Sequence, residues 1–216
     1  MKLLKKELRL CMHPTAYLMP FLSVLLLVPN YPYSVSFYYV TLSIFFICLT
    51  ARENHDAAYT LSLPVSRGDM VRGRILVTCC VEMVQMLLCA LFIFLKSRIG
   101  YQPNSAGLDA GIAVLGEGFL VYGLFHIVFF PLLYKDINQV GKAFAIASVV
   151  VFVYIAFSVA ATYVIPFFRD ALDTPDPEHL TEKLIFLGAG AVFFLAATLT
   201  ALRVSIKRFE RVDLQL

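Results

Sequence analysis

The chain has 216 residues, of which 60% are hydrophobic and only 15% charged, against about 25% charged in an ordinary soluble domain. A soluble fold of this size turns much of its surface to water and cannot hide so much apolar area, so part of its solvent is lipid. The net charge of +3 excludes little as a total, and the length fits a single transmembrane domain over 1–216.

In chain order, residues 2–12 read as an interfacial amphipathic helix. Lys2, Lys5, Lys6 and Arg9 share one face; Leu4, Leu8, Cys11 and Met12 share the other. Such a helix lies in the membrane surface with its basic face toward anionic headgroups. Glu7 breaks the apolar face. A carboxylate there is expected to meet a basic residue, most simply from the arginine-bearing loop 51–74; the alternative is a rolled helix from which Glu7 snorkels. The charged arm and the lack of a small-residue cleavage site predict no cleaved signal peptide.

Six apolar segments follow, at about 14–29, 33–50, 75–95, 111–134, 143–168 and 184–202; a helical crossing needs about 20 residues. The second is short. Pro29 and Pro32 in the turn PNYPY stop helices there, and the fifth is long enough to tilt or to bend at Pro166. The basic residues set the orientation. The arm, the loop after the second span (Arg52, Arg67, Arg72, Arg74), the loop after the fourth (Lys135, Lys142) and the tail (Arg203, Lys207, Arg208, Arg211) hold 14 of the 18. Both termini are therefore expected in the cytoplasm. The outer loop 169–183 is acidic and reads as a solvated loop, or more sharply as a lip that releases cationic cargo.

Glu82, Glu117 and His126 fall well inside spans, where ionisable residues are costly and mark candidate sites. Thr78, Glu82, Gln85 and Cys89 follow a 4-3-4 spacing, so they line one face of the third span and are expected to look into the bundle. Counting about 1.5 Å per residue puts Glu82 and His126 at similar depths, within reach of a hydrogen bond. Glu117 is nine residues before His126, on the opposite face of the fourth helix. Gly116 and Gly118 beside it admit a close backbone approach. These residues serve either as interhelical glue or as a translocation path or subunit interface.

Familiar chemistry is missing. There is no H-E-x-x-H, no G-x-S-x-G and no phosphate-cradling G-x-x-x-x-G-K-[ST]. The four histidines show no metal-ligand spacing along the chain. The five cysteines (Cys11, Cys48, Cys79, Cys80, Cys89) fall in or beside apolar runs and read as small apolar residues, not as disulfides or metal ligands. No enzyme, no metal and no cofactor is expected in this chain, and no nucleic-acid partner, since topology accounts for the basic residues.

The loop ARENHDAAYTLSLPVSRGDMVRGRI divides at Pro64. Residues 53–61 are expected to form a short helix, capped by Asn54 or Asp56 and ended by Pro64. Ser66 and Asp69 have capping-box-like spacing and start the helix of the third span. A short helix across the base of the bundle, joined to a span by a rigid corner, suits transmission of force.

Here the residues resemble a family. L-P-V-S-R before a basic entry into a span, together with FFPLLYKDINQVGKA at 129–143, is similar to permeases of ATP-binding-cassette (ABC) transporters of the type 2 exporter class. Extra residues (Asp136 to Val140) precede Gly141 in the second motif. The resemblance implies six spans, an all-α integral membrane fold with a cytoplasmic coupling helix, and a dimer with a second permease subunit, the same or homologous. It implies an ABC ATPase subunit as partner, which binds the ATP and Mg. Asn54, Asp56, Tyr59, Leu61, Leu63, Pro64 and Arg67 would make or flank the contact with it. It also implies export of amphipathic or antimicrobial-type peptides, or other hydrophobic cargo, or immunity to them, across a bacterial cytoplasmic membrane. A gradient-driven carrier or channel using Glu82, Glu117 and His126 is the alternative reading.

Overall fold

The computed structural model describes residues 6–7, 12–100 and 103–212, and the described residues are helical with no strand. Most of the expected interfacial helix lies outside the described residues; Lys6 and Glu7 themselves are helical.

The first apolar segment departs from the expected span. It begins as a short α-helix, α1 (Thr15–Leu18), and continues as a 3-10 helix over Met19–Leu27. Pro20 near the start of that run has no N–H to give, and its carbonyl accepts from Ser23 Oγ at 2.6 Å. The tighter winding rises about 2 Å per residue instead of 1.5, so these 13 residues still cover roughly 24 Å. Asn30 then takes a left-handed conformation in the PNYPY turn (φ 57°), which asparagine tolerates better than most residues.

Next comes α2 (Ser34–Glu53), a long apolar helix that ends at Asn54. His55 is left-handed (φ 50°), and this break separates α2 from a six-residue helix, α3 (Asp56–Leu61). The short helix is thus shorter than expected. Asn54 closes α2 instead of capping α3, and Asp56 caps nothing, because His55 holds the N-cap position without a side-chain bond.

At Ser66 the chain starts α4 (Arg67–Ile99), 33 residues long. That is about 50 Å of helix, well beyond a hydrocarbon core of about 30 Å. Ser66 Oγ accepts from the Asp69 amide at 3.0 Å and its hydroxyl donates to Asp69 Oδ2 at 2.7 Å, so the expected N-cap forms. The remaining helices are α5 (Ile112–Leu133), α6 (Val140–Val164), and α7 (Leu180–Phe209). Helix α6 stops before Pro166, and a π-helical turn, Phe168–Leu172, follows.

Among the described residues, five helices (α2, α4, α5, α6 and α7) are long and apolar enough to cross a membrane. The segment of α1 and its 3-10 continuation is shorter. Lys6 and Glu7 precede it at the end of the bundle that holds Asp56 and Arg74. Asn30 follows it at the other end, where it accepts from Ser105. We call these the basic end and the acidic end.

Helix α5 is central, and its most extensive packing is against α7. Glycines set that distance. A Cβ on Gly190 of α7 would stand 2.5 Å from the Gly116 carbonyl oxygen of α5, and one on Gly123 would meet the Phe193 ring at 2.7 Å. Gly118 faces Phe37 of α2 in the same way. Small residues at such crossings let helices approach closely where burial from water supplies no driving force. Phe37, Tyr122, Phe125, Phe129 and Phe130 fill the core between them.

Candidate functional site

Two polar centres stand out inside this apolar molecule. The first is at the basic end. Arg74, on the second turn of α4, is buried and aims its guanidinium at two carboxylates: Nε lies 2.8 Å from Glu7 Oε2 and Nη2 lies 2.8 Å from Asp56 Oδ2. Lys6 Nζ closes the ring, 2.7 Å from Asp56 Oδ1 and 3.1 Å from Glu7 Oε1, and donates to Thr60 Oγ1 at 2.6 Å. Among the described residues two cations meet two anions, and such pairing is what makes buried charge tolerable. It joins the N-terminal arm, α3 and α4.

Glu7 thus meets an arginine of the 51–74 region. Lys6, expected to face headgroups with the other basic residues of the arm, turns into this cluster instead. Asp56 is 4% exposed and holds the inner face of α3 through Lys6 and Arg74. Asn54, Tyr59, Leu63 and Pro64 are exposed; Leu61 is half-buried. Arg67 faces elsewhere. Its Nη1 donates to the carbonyls of Phe209, Glu210 and Val212 at 3.0, 3.1 and 2.8 Å, where it satisfies the orphan acceptors at the C-terminus of α7. A cavity of about 570 Å³ opens beside the cluster, lined by Arg52, His55, Asp56, Arg74, Tyr134 and Lys135 among others.

The second centre is the polar stripe of α4. Thr78, Glu82, Gln85 and Cys89 are all fully buried. Each is used differently. Gln85 Nε2 donates to the Ser36 carbonyl of α2 at 2.9 Å, and its Oε1 accepts from Tyr122 of α5. Cys89 Sγ donates to Ser23 Oγ of the 3-10 segment at 3.3 Å. Glu82 Oε1 lies 2.9 Å from His126 Nε2, and His126 Nδ1 lies 2.8 Å from Thr198 Oγ1 of α7. Glu117 lies on the opposite face of α5, buried near Ser34 and Ser158. Sequence spacing alone does not show that Cys79 joins this centre: its Sγ, a Glu82 oxygen and a His126 nitrogen lie within 4.8 Å of one another. The expectation of no metal-ligand set considered spacing along the chain, and this group forms across two helices.

The acidic loop is not a free lip. Asp173 Oδ1 accepts from the Asp109 amide at 2.7 Å, and Asp176 accepts from the Ile112 amide at 3.0 Å and from Lys183 Nζ at 2.9 Å. Both brace the start of α5. Burial pushes the Asp173 carboxyl up to about 6, against the hydrogen bond from Asp109 that lowers it. Asp69, at the opposite end, is held below the usual range by its Ser66 hydrogen bond and then by Arg72.

The fold and these centres define a multi-pass helical membrane protein whose polar groups bind helices to one another. Residues 2–210 match the family model described as ABC-2 family transporter protein, and the chain belongs to that family. It is a membrane component of an ABC transporter, and membership implies an ABC ATPase partner. No curated protein and no solved structure matches it.

Proposed function

We propose that this chain is the permease half of a bacterial ABC exporter, driven by a separate ATPase that binds the ATP and Mg. The observation that carries this is the two-sided character of α3. Its inner face is fixed to α4 through Asp56, Thr60, Lys6 and Arg74. Its outer side offers Tyr59, 55% exposed, with Leu63 just beyond at 40%. A protein partner that seats Tyr59 and Leu63 can move α4, because the ion pairs leave α3 little freedom to slide. We assign α3 as the coupling helix, with Asn54, Tyr59, Leu61, Leu63 and Pro64 at the contact and Arg67 securing the tail behind it.

The chain crosses the cytoplasmic membrane six times, with both termini in the cytoplasm. The placement of Lys6 beside Asp56 and of Asn30 beside Ser105 supports counting the short first segment as a crossing. Two copies, or one copy and a homologue, enclose the path. The cargo is an amphipathic or antimicrobial-type peptide, a reading that rests on the resemblance of the two loop motifs.

The test is reconstitution with the candidate ATPase and measurement of complex formation and cargo-dependent hydrolysis. Tyr59→Ala and Leu63→Asp should weaken both by about five- to thirtyfold, the scale set by losing an anchor worth some 1–2 kcal/mol. Unchanged assembly and hydrolysis in both variants would falsify the coupling assignment.

A further inference from the structure

Cys79 and Glu82 lie one turn apart on α4, and His126 approaches them from α5. One thiol, one carboxylate and one imidazole converge beside aromatic rings: the His126 ring packs against Phe130 and Phe194 at 5.1 and 5.4 Å. We propose that Cys79 Sγ, the Glu82 carboxylate and His126 Nε2 bind a zinc ion that clamps α4 to α5.

Four observations carry this. The first is geometry. Ligands at 2.0–2.3 Å around a tetrahedral zinc stand roughly 3.3–3.8 Å apart, and these three atoms lie within 4.8 Å of one another, so about 1 Å of side-chain movement closes the set.

The second is an unmet group. Glu82 is fully buried, and its Oε2 has no hydrogen-bond partner among the described residues. A buried acceptor left in this state costs about 1–3 kcal/mol, more when charged. An ion between Cys79 and His126 supplies the partner.

The third is the far side of the imidazole. Thr198 Oγ1 is 2.8 Å from Nδ1 and can accept its proton, which leaves the Nε2 lone pair for a metal. A metal-bound histidine usually has such an oxygen behind it.

The fourth is charge. On binding, the Cys79 thiol releases its proton to water, the proton shared by Glu82 Oε1 and His126 Nε2 leaves to water as well, and thiolate plus carboxylate then balance a divalent ion with an imidazole that stays neutral through its Nδ1–H. The centre is then uncharged, as a site at this depth requires. Mixed S, N and O donors suit zinc and its cobalt substitute, not magnesium or calcium, which take oxygen.

The consequence is mechanical. Helix α4 carries Arg74 and so moves with α3, whereas α5 is packed tightly on α7. Zinc across Cys79, Glu82 and His126 restrains the helix that the short helix would move.

The experiment uses untagged, reduced full-length protein in nanodiscs, titrated with Co²⁺. The proposal expects a thiolate-to-cobalt charge-transfer band in the near ultraviolet that saturates near one equivalent per chain and disappears on adding Zn²⁺. The band is lost in Cys79→Ser and kept in Cys80→Ser, whose thiol is adjacent but exposed. His126→Gln also loses it; should that variant not fold, the pair of cysteine variants decides. Thermal melts give a second readout: Zn²⁺ raises the wild-type midpoint and leaves that of Cys79→Ser unmoved. Absence of the band in the wild type, or its persistence in Cys79→Ser, overturns the assignment.

Discussion

Arg74 shows how much one side chain can organise here. Its planar fork addresses Glu7 and Asp56 at once, which a lysine ammonium cannot do in the same geometry. Arg74→Ala leaves two buried carboxylates with Lys6 as their one cation among the described residues, and the loss expected is about 3–5 kcal/mol, read as a lower melting midpoint in detergent. Arg74→Lys should fall between alanine and wild type. Sequence reading identified Glu7 as a residue in need of a cation. It did not single out Arg74 among the four arginines of the loop region, because the choice depends on where α4 begins and which way its second turn faces. A second residue-scale expectation concerns Asp173. Its value in the fold, about 6, lies above the ordinary 3.8, so the fold favours the protonated acid. That contribution is full below about pH 4 and is lost as pH rises through 6. Melting midpoints measured at pH 5 and 7 should drop for the wild type and change less for Asp173→Asn.

At the scale of elements, α4 is the long member that links the basic end to the acidic end. Its start was legible because Ser66 and Asp69 have the required spacing, and the cap bonds are present. Ser66→Ala should cost about 1 kcal/mol, measurable by chemical denaturation. The contact between α5 and α7 gives a sharper test. Gly190→Ala places a Cβ 2.5 Å from a backbone oxygen, whereas Gly188 has nothing within 4 Å. Gly190→Ala should therefore lower the melting midpoint by several degrees. Gly188→Ala on the same helix should hold or raise it, because alanine is the better helix former by roughly 1 kcal/mol. The flanking glycines of Glu117 announced a close approach in the sequence, but not that Gly116 would meet α7 and Gly118 the Phe37 ring of α2. The helix before Pro64 was foreseen one turn too long. Left-handed His55 separates it from α2, and neither a hydrophobic period nor a cap rule signals that conformation.

For the whole molecule, the testable quantity is sidedness. Single cysteines introduced at Asn54 and at Asp170, in a background lacking the native thiols, should react with a membrane-impermeant maleimide from opposite faces, Asn54 in inverted vesicles and Asp170 in intact cells. Both positions are exposed. Labelling of both from one face contradicts the arrangement. Lipid as part of the solvent, helices as the only element among the described residues and the basic bias of the segments on one side followed from composition and from the order of charged and apolar residues. Those are properties of the chain read linearly: apolar runs bury their backbone polarity in helices, and Lys and Arg remain where water is. The tertiary structure alone decided what each intramembrane polar group pairs with. It set Arg74 between Glu7 and Asp56, turned Lys6 inward, and brought His126 to Glu82 and Cys79 from a different helix. Such pairings depend on helix rotation and depth to within a few ångströms, and they are fixed by packing between segments far apart in sequence.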